Sequence, residues 1–478
     1  MFGGTGRERK KKRSGEKELD RGRKKTLKNS LFFLSLFFST SKQKNKKQVL
    51  DSLVGELVGA LKELLKRERA ASGGDPSKQK QKTRRTTLLQ FEDFASSSAF
   101  RLLEKFAPCG LPCFNDDVQG TASVGLAALL AALRLGDSSS SSARSASRRG
   151  EGEEGAPSSR PPPRPLSSSL SDHLVLFYGA GEAGVGIGEL IAAAVQKKSS
   201  STAKETEMTR ELARRRCVFI DSQGLVTAER AAAGKLAHHK LPFAHAGLPK
   251  LEEKGGSEGA EGDRLLLSAV RALRPTALVG VSTSRGAFSP RVLREMARIN
   301  SRPIIMPLSN PTSLAECSFE EAVAATRGRC VFASGSPFDP IDVSPSTTTR
   351  KSTQTSSFRR CSQANNAYIF PAVGAAALLT GATALGEGAF LAAAEALAAQ
   401  ASNEDARSGL LFPPFSRAAA VSAAVAAAVA EQLARSGDGG VPAALEHFAR
   451  AAKEPGLGAW EAAARSRMVN LASTASRL

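Results

Sequence analysis

The 478-residue sequence predicts an α/β protein built on a doubly wound parallel sheet, with an alanine-rich helical region at its C-terminal end. The prediction rests on short apolar runs, on helical patterns that separate several of them, and on the alanine-rich stretch after residue 363. Apolar runs bounded by Gly, Pro, Ser or Asp are typical of strands buried on both faces of a sheet. Such runs occur at 173–178, 217–221, 276–282, 302–309 and 330–335.

Helical patterns lie between several of these runs, for example at 184–196 and 289–299. Strand, helix and strand in alternation imply a parallel sheet with right-handed crossovers. Beyond residue 363, apolar side chains recur every three or four positions, which predicts helices at 383–400, 416–434 and 441–453.

The net charge of +21 is concentrated at the N-terminal end, because residues 1–88 carry +16 and the rest of the chain only +5. The nearly balanced body does not indicate nucleic-acid or membrane binding, and we expect neither partner. Residues 1–47 are predicted to be a disordered, basic, low-complexity tail. The apolar run at 31–38 within it is part of a targeting peptide, a segment that orders on the body, or translated non-coding sequence.

The six cysteines are too few and too scattered for a disulfide framework. Cys109 and Cys113 form a CxxxC pair, but neither a histidine nor a second cysteine pair lies near them in the sequence. A zinc site is therefore not expected, and the cysteine usage fits a reducing compartment.

A glycine-rich motif, GAGEAG, follows the first apolar run and opens a helical pattern. Strand, turn and helix form the context in which GxGxxG predicts a Rossmann-like, NAD(P)-binding turn. Gly179 permits the tight turn, Gly181 lets the backbone approach a pyrophosphate, and Gly184 allows close packing of helix and strand. Glu182 and Ala183 would then begin the helix, whose N-terminal N–H groups favour a phosphate.

Asp221 ends the second apolar run, where an acidic residue is placed to accept a hydrogen bond from the cofactor ribose. It lies about twice as far beyond the glycines as the usual interval, and a polar stretch at 197–214 accounts for most of the excess. The residues alone leave the cofactor open, because an aspartate favours the free ribose hydroxyl of NAD while Ser222 and Lys240 could accommodate the 2′-phosphate of NADP.

Two acidic pairs precede the nucleotide motif, Glu92–Asp93 in FEDF and Asp116–Asp117 in FNDD. Adjacent carboxylates repel one another, and enclosing them between phenylalanines costs solvation. A divalent cation would compensate, and carboxylate oxygens suit Mg²⁺ or Mn²⁺ better than zinc. The alternative is that both pairs are only helix N-terminal charges.

Several long strings together resemble the malic enzymes, from about residue 48 to near the C-terminus. The first three, in order, are LLQFEDFASSSAFRLLEKF, CFNDDVQGTASVGLAALLAALR and LVLFYGAGEAGVGIGELI. They are followed by DSQGLV, KLPFAH, LRPTALVGVSTSRGAFS, PLSNPTSLAECSFEEA, FASGSPFDP and QANNAYIFPAVG.

The resemblance implies oxidative decarboxylation of (S)-malate to pyruvate and CO₂, with reduction of NAD(P)⁺. It implies that Mg²⁺ or Mn²⁺ is held by three carboxylates, Glu92, Asp93 and Asp117. It also implies that Asn310 and Asn366 contact the substrate. Lys240 and Ser222 match positions that read Lys and Ser in NADP-preferring members, which favours NADP. The family further implies a homo-oligomer, and its location is open between cytoplasm, mitochondrion and plastid.

The chain departs from the family at its acid and base. The family's proton-donating tyrosine and basic lysine belong before FEDF, and no matching string precedes it here. Tyr178 and Tyr368 stand in other motifs, so the catalytic residues are unassigned and this chain is expected to be weakly active or inactive. Two functions stay open: an N-terminally incomplete malic enzyme, or a non-catalytic NADP- and metal-binding relative that assembles with complete subunits.

The domain organisation follows from these motifs. Residues 48–117 are predicted to be part of a substrate and metal domain, interrupted by an insertion at 70–86. Residues 118–362 form the nucleotide domain, and 363–478 form a helical region that completes the substrate domain. The nucleotide domain contains further polar insertions, predicted at 137–171, 197–214, 252–263 and 343–362.

Overall fold

The computed structural model describes residues 33–35, 44–71, 87–146, 162–197, 210–251, 261–342 and 358–436. Its strands are β1 (Phe33–Ser35), β2 (Leu89–Glu92), β3 (Cys113–Asn115), β4 (Val175–Tyr178), β5 (Cys217–Asp221), β6 (Gly224–Leu225), β7 (Ala277–Gly280), β8 (Ile304–Pro307), β9 (Val331–Ser334), β10 (Ile341–Asp342), β11 (Phe358–Arg359) and β12 (Ser362–Gln363).

Its α-helices are α1 (Lys44–Ala71), α2 (Ser96–Phe106), α3 (Thr121–Ala146), α4 (Glu182–Lys197), α5 (Ala228–Ala232), α6 (Glu261–Leu273), α7 (Pro290–Ile299), α8 (Phe319–Thr326), α9 (Phe370–Thr380), α10 (Glu387–Ala398), α11 (Asn403–Arg407) and α12 (Ala418–Ser436). Residues 210–214 are also helical, and a π-helical turn spans Asp116–Gly120. Tighter 3₁₀ turns lie at Ala107–Cys109, Leu170–Asp172, His238–Phe243, Thr312–Leu314, Asn366–Tyr368 and Phe415–Arg417.

The main sheet has the strand order β12-β9-β8-β7-β4-β5-β6. Every pair in it is parallel except β5 with β6. The chain moves from β4 to β5 on one side and later returns to β7 on the other. A ligand crevice is expected at this reversal, outside the carboxyl ends of the strands. The predicted α/β fold and the five predicted central strands are confirmed.

Helices cover both faces of the main sheet, because alternate strand residues point to opposite sides. On one face Phe177 and Phe219 stack with ring centroids 4.4 Å apart, and α3, α4, α9, α10 and α12 pack over them. On the other face Leu176, Leu278 and Ile305 pack against α6, α7 and α8. This double covering explains why the strands read as continuous apolar runs.

A second, three-stranded sheet carries the acidic motifs, with parallel order β1-β2-β3. Its core includes Val54 and Val58 from α1, Phe91 from β2 and Leu102 from α2. Two described stretches lie within the predicted basic tail of residues 1–47. Residues 33–35 pair with the outer edge of β2, whose backbone groups would otherwise lack strand partners, and α1 begins at residue 44.

The predicted insertion at 137–171 is also too wide at both ends. Helix α3 continues to residue 146, since each added residue gains a helical hydrogen bond. Arg164 bridges to Asn300, and its N–H donates to the carbonyl of Ile299 at 2.9 Å. Leu170 is buried in the main core.

The other predicted insertions overlap described structure only at their edges. The predicted ranges contain helical residues 210–214, the start of α6, strand β11 and the first residue of β12. Residues 72–86, 147–161, 198–209, 252–260 and 343–357 lie outside the described residues.

Two of the predicted C-terminal helices are confirmed, as α10 and α12, and the third, at 441–453, lies outside the described residues. The apolar stretches Asp116–Leu135 and Phe415–Ser436 are long enough to cross a bilayer. They are 72% and 50% buried inside the fold, which is what core helices of this length require.

Candidate functional site

The turn after β4 adopts a conformation that only glycine tolerates well. Gly179 has φ of +116°, and its N–H donates to the carbonyl of Ile220 at 2.8 Å. A Cβ on this residue would lie 2.5 Å from the carbonyl oxygen of Val281, in the loop after β7. The turn is therefore wedged between β5 and β7, at the point where the strand order reverses.

The next glycines set the approach of helix α4. A Cβ on Gly184 would lie 2.8 Å from the carbonyl oxygen of Gly179, and one on Gly186 would lie 2.5 Å from that of Val118. Gly181 lines the cleft directly before α4, which begins with Glu182 and Ala183. The helix N-terminus thus opens at the cleft, where its N–H groups can bind a phosphate.

The cleft itself has a volume of about 680 Å³ and lies at the carboxyl ends of β4, β5 and β7. One wall is formed by the glycine turn. The opposite wall is formed by α2, which follows strand β2 of the second sheet. Phe100 of α2 stacks on His239, with ring centroids 5.0 Å apart. His239 Nε2 lies 3.3 Å from the carbonyl oxygen of Ala180 in the turn.

Asp221 lies at one end of the cleft and is neutralised by two cations. Lys240 Nζ donates to its Oδ2 at 2.7 Å, and Arg230 donates to both carboxylate oxygens at 2.9 and 3.0 Å. Burial raises the pKa of Asp221, but hydrogen bonds from Arg230, Lys240 and the Gln223 N–H outweigh it and lower the pKa overall. Ser222 and Lys240 also line the cleft, so these predicted residues are brought together.

Arg230 was not predicted from the sequence. It lies on the short helix α5, which is capped by the Thr227 side chain. Besides Asp221, its guanidinium donates to the carbonyls of Gly224 and Leu225 at 3.1 and 2.8 Å. Its only sequence signal is a basic residue shortly beyond a strand that ends in aspartate.

The predicted carboxylates meet where β2 and β3 end. Asp93 has φ of 61°, a left-handed conformation that is rare outside glycine, and its N–H donates to Asp117 Oδ2 at 2.8 Å. Glu92 is the last residue of β2, and Asp116 begins the turn after β3. A strained backbone residue beside several carboxylates is a feature of functional sites.

Burial and mutual repulsion raise the pKa of three of these groups. For Glu92 burial acts first, followed by the charge of Asp117. For Asp117 burial raises the pKa, partly offset by the Asp93 N–H. Burial raises the pKa of Asp116 to about 7, although a hydrogen bond from Asn366 lowers it, and the Oδ1 atom of Asp116 is buried without a hydrogen-bond partner.

The carboxylate oxygens of these residues are the donor type that suits a hard divalent cation. Among the described residues, three or more His, Cys, Asp or Glu side chains nowhere group as a metal site would require. Burial and mutual repulsion raise these pKa values, and Asp116 Oδ1 lacks a hydrogen-bond partner, so a cation beside these carboxylates would be favourable.

The two predicted substrate residues have different hydrogen-bond partners. Asn366 Nδ2 donates to Asp116 Oδ2 at 3.1 Å and to Thr121 Oγ1 at 3.1 Å, so it is held beside the carboxylates. Asn310 is exposed after β8, and its Oδ1 accepts from Ser336 Oγ at 3.2 Å. The described hydrogen bonds do not connect Asn310 to the carboxylates.

Comparison with known proteins decides the family. The model described as "Malic enzyme, NAD binding domain" matches residues 164–434, more than half of the chain. The chain belongs to the malic enzyme family. The matched range contains the glycine turn, Asp221 and Lys240, so the malic enzyme nucleotide domain coincides with the main sheet.

Curated malic enzymes from plants are similar over the same part of the chain. NADP-dependent malic enzyme 3 of Arabidopsis thaliana is 40% identical over 342 residues, 72% of this chain and 47% of that protein. NADP-dependent malic enzyme of Phaseolus vulgaris is 40% identical over 343 residues, with the same coverage of both proteins. The chloroplastic enzyme of Flaveria pringlei is 37% identical over 372 residues, 76% of this chain and 48% of that enzyme.

The chain therefore spans about half the length of the curated malic enzymes that it matches. A crystal structure of Entamoeba histolytica malic enzyme has the same fold, with a TM-score of 0.51 and 18% identity. That similarity covers 80% of this chain and 66% of the other.

The two tyrosines of the chain have different surroundings. Tyr368 is buried with its hydroxyl donating to the carbonyl of Pro413 at 2.8 Å, and burial raises its pKa to about 12. Tyr178 lines the nucleotide cleft at the end of β4, where burial and then the charge of Glu316 raise its pKa. The catalytic acid and base stay unassigned.

Proposed function

We propose that this protein takes part in the oxidative decarboxylation of (S)-malate to pyruvate and CO₂, with NADP⁺ as the hydride acceptor. One observation carries the proposal: α2, which follows the Glu92–Asp93 pair directly, forms a wall of the dinucleotide cleft through the Phe100–His239 stack. This contact supports the proposal that the carboxylates and the glycine turn act in one site, as a metal-dependent hydride transfer requires.

NADP is the proposed cofactor because of the charge at Asp221. An unpaired aspartate there would repel a 2′-phosphate, but Arg230 and Lys240 reverse the net charge of this corner. Lys240 and Ser222 would bind the phosphate, while Gly179, Gly181 and the N-terminus of α4 would bind the pyrophosphate. The names of the plant relatives, which specify NADP, support the same choice.

The proposed metal ligands are Glu92, Asp93 and Asp117, which offer the carboxylate oxygens preferred by Mg²⁺ or Mn²⁺. The ion, when bound, would supply a Lewis acid for the C2 oxygen of malate. Asn366 would hold Asp116 in place through its side-chain amide. Asn366 and Asn310 would both face the substrate carboxylates. Assembly into homo-oligomers remains a prediction.

Replacement of Lys240 tests the cofactor assignment. We expect Lys240→Gln to weaken NADPH binding about thirtyfold while NADH binding changes less than threefold, because only NADPH carries the 2′-phosphate. Fluorescence titration of the reduced cofactors measures both. Lys235→Gln, five residues away and exposed, is the matched control. Equal losses for both cofactors in Lys240→Gln would contradict a 2′-phosphate contact.

A turnover assay distinguishes the two functions that stay open while the catalytic acid and base are unassigned, an incomplete malic enzyme and a non-catalytic relative. NADPH absorbance is followed with malate, NADP⁺ and Mn²⁺ on the purified chain alone. We expect negligible turnover because no residue of this chain is assigned as the catalytic acid or base. Turnover that rises when complete malic enzyme subunits are added, beyond their own activity, would favour the non-catalytic relative.

A further inference from the structure

Glu316 is a fully buried carboxylate that lies between two loops of the main sheet, directly before α8. Its Oε1 accepts from the N–H of Ser282 at 3.0 Å and from the Ser282 hydroxyl at 3.1 Å. The same oxygen accepts from Ser309 Oγ at 2.5 Å, and Oε2 accepts from the Ser309 N–H at 3.4 Å. One side chain thus joins the loop after β7 to the loop after β8.

The residues around Glu316 leave space for its carboxylate, and Ser309 links it to a further residue of the loop after β7. A Cβ on Gly280, at the end of β7, would lie 2.4 Å from the Glu316 carboxyl carbon. Ser309 Oγ also accepts from the N–H of Thr283 at 2.9 Å. Thr283 has φ of 54°, a left-handed conformation that a β-branched residue adopts only when its surroundings impose it.

Both loops lie on the half of the cleft away from Asp221. Ser282 and Ser284 line the cleft beside Val281, and Ser309 precedes Asn310. In a doubly wound sheet the first strands bind the adenosine half of a dinucleotide, and the strands across the switch point bind the other half. The Glu316 loops therefore face the nicotinamide half.

We propose that Glu316 is a positioning residue for the nicotinamide half of the cofactor, a role that rests on the proposed function. Its carboxylate accepts four hydrogen bonds, two from Ser282 and two from Ser309. The position therefore requires a group that only accepts hydrogen bonds. Because it binds both Ser282 and Ser309, Glu316 holds the loop after β7, which lines the cleft, in a fixed position relative to the loop that carries Asn310. Charge-assisted bonds of this kind are among the strongest available to a loop.

The test compares a whole cofactor with its adenosine half in Glu316→Gln. The amide keeps the shape but turns a donor towards the Ser309 N–H. We expect the Kd for NADPH to rise about tenfold, and the Kd for 2′,5′-ADP, which lacks the nicotinamide half, to change less than twofold. Calorimetric titration of the full chain measures both, and thermal unfolding confirms that the variant is folded. Ser309→Ala removes one donor to Glu316 and the acceptor of the Thr283 N–H, and it is expected to give the same selective loss, about threefold.

Glu295→Gln is the control, because Glu295 is a buried carboxylate paired with Arg298 on α7, away from the cleft. It should lower the unfolding temperature and leave both affinities unchanged. Unchanged NADPH binding in folded Glu316→Gln, or equal loss of NADPH and 2′,5′-ADP binding, would overturn the positioning role. Failure of the unsubstituted chain to bind either compound would instead overturn the proposed function.

Discussion

The two halves of the site differ in how their charges are compensated. In the nucleotide half, Asp221 is paired with Arg230 and Lys240, and the buried Glu316 accepts four hydrogen bonds. In the acidic half, burial and repulsion raise the pKa of Glu92, Asp116 and Asp117. The first half supplies its own counter-charges, whereas the second lacks positive charge among the described residues.

This difference predicts which half an added cation would stabilise. A preorganised cleft can bind a dinucleotide without rearrangement, because its donors and cations already have partners in place. A carboxylate cluster with raised pKa values gains stability when a cation or a proton arrives. Substitutions in the two halves should therefore respond differently to pH and to cofactor.

The largest effect should come from the glycine turn. Gly179→Ala places a Cβ 2.5 Å from the Val281 carbonyl oxygen in a backbone with φ of +116°. We expect a loss of about 3 kcal/mol in the free energy of unfolding, from left-handed strain and overpacking together. NADPH binding should fall by at least a hundredfold, measured by fluorescence titration.

Gly234→Ala provides the matched control for that substitution. Gly234 has φ of +64°, and a Cβ on it would have no atom within 4 Å, so only the backbone penalty of about 1 kcal/mol applies. NADPH binding should be unchanged in this variant. If Gly179→Ala behaved like Gly234→Ala, close approach at the turn would not be what the cleft requires.

In the acidic half, Asp116→Asn should stabilise the protein at high pH. The pKa of Asp116 is about 7 in the folded protein, because burial disfavours the charge, against about 3.9 in an unfolded chain. Its contribution to stability is therefore present below about pH 4 and is lost as the pH rises to 7. Without divalent ions, we expect the variant to be more stable at pH 8 by about 2 kcal/mol, with little difference at pH 4.

Asp405→Asn is the contrasting substitution for urea unfolding at the two pH values. Burial raises the pKa of Asp405, but its bonds to Ser402 in the capping box of α11 lower the pKa overall. This variant should be less stable than the unsubstituted chain near neutral pH, by about 1 kcal/mol. A loss of stability in Asp116→Asn at pH 8 would show that its charge is compensated after all.

The smallest effect should come from His173 in the nucleotide half. Burial lowers its pKa, and its ring nitrogens lie 2.9 Å from Thr276 Oγ1 and from the carbonyl oxygen of Ser167. The neutral ring stabilises the fold above about pH 6.5, and this contribution is lost as the pH falls. Between pH 7 and 5.5, His173→Gln should lose less stability than the unsubstituted chain, by under about 1 kcal/mol.

His238→Gln serves as the control in the same urea series, because His238 is exposed. Its pH dependence should match that of the unsubstituted chain. If the stability of His173→Gln had the same pH dependence as that of the unsubstituted chain, His173 would not contribute to the loss of stability at low pH.

Much of the main sheet could be predicted from the sequence. Strands buried on both faces read as apolar runs, and β4, β5, β7, β8 and β9 lie inside the runs predicted for them. The N-terminal strand β1 could not be predicted, because its pairing depends on an open edge of β2 far along the chain. The extent of α3 was missed because serine-rich sequence is typical of loops, yet a long helix can continue through it.

Site residues could be predicted where the backbone conformation itself requires a particular residue type. The glycines of the turn follow from φ and close approach, which sequence spacing reveals. Arg230 and Glu316 were missed because each acts through partners from other elements, and a lone basic or acidic residue in a loop carries no periodic signal. The lowered pKa of Asp221 depends on the unpredicted Arg230 as well as on the predicted Lys240.

The hydrogen bond from Asn366 to Asp116 joins residues 250 positions apart, and Ser123 Oγ reaches the carbonyl of Phe390 across 267 positions. During synthesis, the acidic turn and the start of α3 therefore leave the ribosome long before their partners exist. Until α10 has been made, the buried apolar face of α3 has no C-terminal helices to cover it. Nascent chains that end before residue 366 should consequently depend on chaperones more than chains that extend past α12.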